Sequence, residues 1–212
     1  MNKLRLIVLL LLVAGCLSGI KAQNVAERKI DPFRKIRVSR AIDVYLKAGD
    51  KEQVSIETEG ISSEGVITDV TGDQLKIQLD NGHYRDYNVR VYVTYVVIEA
   101  VTASAASGVF SEDTIKGNRF YINVSSAADV ELSIDMKHIT ASVSSSGHLE
   151  LKGETEYLDV KSSSAGDVDA FDLQAENVKV AASSAGGAKV TANKQINAGA
   201  TSGGSIRYRG NP

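Results

Sequence analysis

Apolar and polar residues alternate one by one through most of this chain. Ile42, Val44 and Leu46 enclose Asp43 and Tyr45, and Phe33, Ile36 and Val38 lead into them. Val54 and Ile56 continue the pattern, followed by Leu75, Ile77 and Leu79, with Gly72-Asp73 and Asn81-Gly82 as turn signals. Val89, Val91 and Val93, then Val96, Val97 and Ile98, form a further β-rich stretch. A period of two places successive side chains on opposite faces of a strand. No segment after residue 22 sustains the 3.6-residue period of an amphipathic helix. The pattern predicts an all-β protein.

A repeat governs the second half. Seventeen of the 22 serines lie at or after Ser104, and the small-residue segments 104–108, 125–128, 144–147, 163–166, 183–186 and 201–204 recur in order. With the last small residue of each as reference (Gly108, Ala128, Gly147, Gly166, Gly186 and Gly204), the spacing is 18 to 20 residues. Two positions further on stand Phe110, Val130, Leu149, Val168, Ala188 and Ile206. Eight positions before, from the second repeat on, stand Phe120, Ile139, Leu158, Val178 and Ile196. Each repeat thus supplies a short strand, a small-residue corner and another short strand.

One such unit cannot bury its own apolar face, but stacked units build a continuous core at ~4.8 Å per layer. The reading is a parallel β-helix, a solenoid of ~19-residue coils. Residues 33–208 form its single domain, with regular coils over 99–208 and less regular strands over 33–98 that either cap or extend them. Residues 23–32 read as a short linker and 209–212 as a tail. In a stack, Ser125, Ser144, Ser163, Ser183 and Thr201 would align, each hydroxyl placed to bond the next coil.

Composition adds an address. Lys3 and Arg5 precede an apolar run from Leu6 to Ala14, too short to span a bilayer but suited to a signal peptide over residues 1–22. Two processing sites compete. Val13-Ala14-Gly15-Cys16 resembles a lipobox, which would make Cys16, the single cysteine, a lipid anchor; Ile20-Lys21-Ala22 offers cleavage before Gln23. Either route takes the protein out of the cytoplasm, to the outer membrane surface or the periplasm. One cysteine excludes a disulfide framework and a cysteine zinc site. After residue 22 the chain carries 21 basic and 26 acidic residues, so nothing points to nucleic acid.

Candidate chemistry lies on one wall. Counting from each reference, Asp129, Glu131, His148, Glu150, Asp167 and Asp169 share an outward face: five carboxylates around one histidine. Two charges ~4.8 Å apart in water repel by only about 0.9 kcal/mol, so a solvated wall bears them without special provision. Oxygen ligands in this pattern also suit Ca²⁺ or a polar glycan, and Ca²⁺ is the only cofactor the residues suggest. Paired carboxylates raise a glycoside hydrolase as an alternative. Tyr84, Tyr87, Tyr92 and Tyr95 are a second candidate surface for sugars. His83 reads as a turn residue and His138 as part of an inter-strand loop. No nucleophile elbow, P-loop or paired-histidine zinc motif is present.

The opening Phe33-x-x-Ile36-x-Val38, then Ile42-Asp43-Val44-x-Leu46-x-x-Gly49, Val89-x-Val91-x-Val93 and Ser-Ser-Ala-Gly-Asp-Val at 163–168 resemble the head GIN domain family (DUF2807), found in secreted proteins of Bacteroidetes. The resemblance covers roughly residues 33–208. It implies a parallel right-handed β-helix outside the cytoplasm and an adhesin role, with no catalytic residues to carry over. The expected function is non-enzymatic binding of a glycan or surface protein through a β-helix face. The alternatives are a carbohydrate-active enzyme on the same architecture and a periplasmic envelope scaffold or sensor. The exposed end coils also suggest a homodimer formed through an end.

Overall fold

The computed structural model describes residues 24–212. Cys16, the 1–22 signal segment and the cleavage point after Ala22 lie outside the described residues. Fifteen strands make one continuous sheet that winds into a parallel β-solenoid of about six turns, with coils of about 20 residues. Their order begins β1 (Asn24–Arg28), β2 (Lys35–Ser39), β3 (Asp43–Ala48), β4 (Gln53–Glu59), β5 (Val66–Thr71), β6 (Gln74–Leu79), β7 (Asn88–Tyr95), β8 (Ala100–Ser104) and β9 (Gly108–Ser111). The long strands β10 (Ile115–Val124), β11 (Asp129–Val143), β12 (His148–Ser162), β13 (Asp167–Ala182) and β14 (Gly187–Ala200) follow, and β15 (Ser205–Arg209) closes the series. Each long strand runs up one wall, bends and runs along the next.

The predicted inward columns are the core. Val130, Leu149, Val168 and Ala188 stack in register through β11 to β14, as do Ile139, Leu158 and Val178 on the wall before each corner. All seven are buried, and each large aliphatic side chain so placed contributes about 1.5–3 kcal/mol.

The corners are built differently from the hydroxyl stack expected. Seven corners each hold two successive residues with positive φ: Arg40 and Ala41, Ala105 and Ala106, Ser126 and Ala127, Ser145 and Ser146, Ser164 and Ala165, Ser184 and Ala185, Ser202 and Gly203. In five of them the fourth residue's N–H donates to the first residue's carbonyl, as Gly166 does to Ser163 at 2.8 Å, which with two positive φ angles is the pattern of a type I′ turn. Neighbouring corners are joined through their backbones. Ala41 N–H donates to Ala105 O, Ala106 to Ser126, Ala127 to Ser145, Ser146 to Ser164, Ala165 to Ser184 and Ala185 to Ser202, at 3.0–3.2 Å. The left-handed conformation costs an L-residue about 1–2 kcal/mol, and this ladder offsets part of that. In the regular coils the fourth corner residue must be small because the corners sit directly on one another. A Cβ on Gly166 would lie 2.7 Å from Val143 O.

The first repeat is displaced by one residue from the expected alignment. β9 pairs Gly108 with Asp129 and Val109 with Val130, an offset of 21. Ser107, not Gly108, is therefore the fourth corner residue, and Val109 is the core residue while Phe110 faces outward. The added length lies after β9, because the offset is 21 at Gly108–Asp129 but 19 again at Ile115–Ile134; in the corner itself the buried Ser107 hydroxyl donates to Ser104 O at 2.9 Å.

Residues 33–98 both extend and cap the solenoid. β2 and β3 form a coil that pairs with β8 and β9 on one side and with β6 and β7 on the other, so the chain inserts its first coil between two later ones. Antiparallel β5 then covers β6, and β4 covers β7. β1 adds to β4, so half of the 23–32 segment expected to be a linker is a strand. Arg28 ties the two edges across this end, donating to Ser63 O and Val66 O at 2.6 Å each and to Thr68 Oγ1 at 2.8 Å. Among the described residues the other end has no such cover: residues 193–200 and β15 carry no outer partner strand, Tyr208 is exposed, and Ile196 and Ile206 are half-buried.

Candidate functional site

Alternation turns each outward position into a row along the solenoid. On the wall after each corner, one row reads Asp43, Gly108, Asp129, His148, Asp167, Gly187 and Ser205. The next row reads Tyr92, Tyr45, Phe110, Glu131, Glu150, Asp169, Lys189 and Arg207. All six sequence-predicted site residues therefore share one wall, in two adjacent rows across β11, β12 and β13.

Electrostatics organise that wall. His148 Nδ1 lies 3.6 Å from Asp167 Oδ2, and Asp167 leans along its row where a Cβ on Gly187 would meet its Oδ1 at 2.5 Å. Lys189 Nζ donates to Asp169 Oδ2 at 2.7 Å. Burial pushes the Asp169 carboxyl upward, but the Lys189 hydrogen bond, the Phe171 N–H and the nearby positive charges outweigh it, so its pKa is lowered. The Lys189 ammonium is raised, chiefly by the same hydrogen bond. Asp129 is half-buried, with an Oδ1 that is closed to solvent and without a hydrogen-bond partner. Among the described residues no three His, Cys, Asp or Glu side chains converge on a point that could hold a metal ion. In-register strands explain this: neighbouring carboxylates point outward side by side, ~4.8 Å apart, instead of inward on a common centre. The wall therefore supplies no Ca²⁺ cage.

The tyrosine cluster is dispersed. Tyr95 is buried, with no partner for its hydroxyl, and burial, then Asp113, pushes its pKa up to about 12. Tyr84 donates to Asp80 Oδ1 at 2.6 Å and meets Tyr87 edge-on in the 80–87 loop that replaces a corner. Tyr92 joins Tyr45 and Phe110, which the sequence reading missed because the one-residue offset hid Phe110. Their rings stack at 5.3 and 5.4 Å, so Tyr45 is covered on both faces and Tyr92 and Phe110 on one face each. This ladder is an aromatic brace of the wall.

The wall before each corner holds what the sequence missed. His138, expected in a loop, lies within β11 and stacks on Tyr157 of β12 at 4.7 Å and 13°. The row continues through Asn177 and Gln195, beside a second row of Thr140, Asp159, Lys179 and Asn197. Together these residues line an open groove of about 520 Å³. The signal was available: Tyr157 falls at an outward position one residue before inward Leu158.

The comparisons with known proteins come to the same architecture. The model of the family described as "Putative auto-transporter adhesin, head GIN domain" matches residues 32–212. A crystal structure named a putative adhesin, from Bacteroides fragilis, is similar at TM-score 0.77 and 16% identity, covering 90% of this chain and 95% of that one. A putative adhesin from Parabacteroides merdae is similar at TM-score 0.63 and 14% identity, covering 90% and 97%. A putative lipid binding protein from Parabacteroides distasonis is similar at TM-score 0.60 and 18% identity, covering 90% and 98%. At these identities the likeness is one of fold. No curated protein matches the chain.

Proposed function

The chain belongs to the head GIN domain family of putative auto-transporter adhesins, and from that premise we propose that it is a non-enzymatic extracytoplasmic protein that captures a surface partner on a rigid solenoid wall. The observation that carries this is the two-row register of Asp129, His148, Asp167 and Glu131, Glu150, Asp169: a pre-ordered polar wall that needs no conformational change to dock. The acidic rows favour a partner with a basic surface, whose docking weakens with salt.

Cells displaying the full chain should adhere to surfaces coated with a basic protein, and less so as salt rises. The triple variant Asp129→Asn, Glu150→Gln, Asp167→Asn should adhere at least several-fold less while keeping its melting temperature. Undiminished adhesion by the triple variant would remove the wall from the binding surface. Release of reducing sugar from a polysaccharide by wild-type protein would replace the binder with an enzyme. Protease shaving of intact cells tests display: protection until the outer membrane is broken would place the protein in the periplasm. The same blot after palmitate labelling distinguishes a Cys16 anchor from a released chain.

The open C-terminal end supports a second part of the reading, self-association. Uncovered strand edges with Ile196, Ile206 and Tyr208 at the end of the core are a template for another chain. A monomer mass by light scattering at high protein concentration, unchanged by Ile206→Lys, would eliminate it.

A further inference from the structure

The groove on the wall before each corner carries more specific chemistry than the acidic wall. Tyr157 is 48% exposed although His138 stacks on one of its faces. The residue in register on its other side is Asn177, a smaller side chain, so the second face of the ring looks into the groove. Asn177 Nδ2 donates to Glu156 O at 3.1 Å, which pins the amide and leaves its Oδ1 to accept. Among the described residues the side-chain amides of Gln195 and Asn197 make no hydrogen bond, and both line the groove with donor and acceptor capacity. The formal charges on the floor cancel, since Lys179 Nζ lies 3.8 Å from Asp159 Oδ2.

We propose that this groove binds a neutral glycan, one pyranose lying against the free face of Tyr157 with its hydroxyls bonded by Asn177, Gln195 and Asn197. A pyranose has one face of C–H groups, which pack on an aromatic face, and a rim of hydroxyls that both donate and accept. Primary amides answer that rim, and an aromatic surface with a few placed polar groups is the usual composition of a small-molecule site. Cancelled charge disfavours uronic or sialic acids. The groove runs along the solenoid axis, so a chain of sugars would cross successive coils. Tyr121, 51% exposed, stands on the adjoining row next to Thr140, where an extended chain would meet it. The inference rests on the binding-protein reading but uses a wall on the other side of the corner from the carboxylate rows.

The test is saturation-transfer NMR and calorimetry on the purified full chain, with cellohexaose, mannohexaose and chitohexaose as neutral probes and a galacturonate hexamer as the anionic one. At least one neutral hexamer should bind, with saturation passing from tyrosine ring protons to sugar C–H protons. Tyr157→Ala should weaken binding about tenfold, the order expected for one lost aromatic stack of about 1.4 kcal/mol. Tyr157→Phe should retain binding, which shows that the ring face acts rather than the hydroxyl. Glu150→Gln with Asp167→Asn should leave glycan binding unchanged, so that failure of the groove and failure of the acidic wall are read separately. No binding by any neutral hexamer, equal binding by Tyr157→Ala of unchanged melting temperature, or stronger binding of the galacturonate would each overturn the proposal.

Discussion

Replacing Ala165 with glycine should stabilise this protein, although it removes a methyl group and loosens the unfolded chain. Ala165 is exposed and has a φ of 59°, so its methyl contributes little packing while its backbone sits in the left-handed region. That conformation costs an L-residue about 1–2 kcal/mol, and glycine's extra unfolded-state entropy returns about 0.5–1 kcal/mol of it. The net expectation is a gain of about 0.5–1 kcal/mol, or roughly 1–4 °C in melting temperature for a domain of this length. The amide that donates to Ser184 O is kept. Ala127 occupies the same place two coils away, ~10 Å along the axis, so the Ala127→Gly and Ala165→Gly gains should add. Ala165→Val should instead cost about 1–3 kcal/mol, because a β-branched side chain tolerates positive φ poorly. Urea unfolding with an unchanged slope is the assay. A glycine variant less stable than wild type would show that the corners are not strained and that the ladder argument is wrong.

Arg28→Ala should cost about 1.5–3 kcal/mol, the range for hydrogen bonds to a charged donor, with hydrogen exchange rising first in β1 and β5 while β12 and β13 stay protected. Tyr95→Phe should be neutral or stabilising by up to about 1 kcal/mol, since it removes a buried hydroxyl that bonds nothing; a spectrophotometric titration should lose its late phase near pH 12 in that variant. The Asp169–Lys189 pair has a lowered acid and a raised base, so its stabilisation is present between the two ordinary pKa values. It should fade as pH falls through the lowered Asp169 pKa and, at the other extreme, as pH rises through the raised Lys189 pKa. The urea midpoints of wild type and Lys189→Met should accordingly differ at pH 7 and converge in acid. Deleting residues 148–166, one whole coil, should leave a folded, shorter solenoid by circular dichroism, whereas deleting Ser145 alone should unfold or aggregate the chain.

That last contrast marks what could be read from the sequence. Inward columns such as Val130, Leu149 and Val168 are legible because an apolar residue must recur at each coil, and the acidic rows follow from them by counting. Counting fails where a coil changes length, so the 21-residue step from Ser107 to Ala128 hid Phe110 and with it the Tyr92–Tyr45–Phe110 brace. The insertion of β2 and β3 between later coils was not legible at all. Their partners lie far away in sequence, and residues 33–98 carry no repeat to align. The corner serines misled for a different reason. Their small size suits the close stacking of corners, and the ladder that joins corner to corner runs through the backbone.

Two kinds of selection act on each coil, and the solenoid keeps them apart. An inward residue answers to its neighbours above and below, so a change there propagates along the core. An outward residue answers only to its row, and rows on the two sides of a left-handed corner do not touch. The acidic residues of β11 to β13 and the Tyr157 groove can therefore change independently, although β11, β12 and β13 contribute to both. The number of coils and their register set how far both walls extend. The capped N-terminal end, held by Arg28 across β1 and β5, fixes where that register starts. The open C-terminal end leaves the core accessible to another strand, so any partner that adds there lengthens both walls at once.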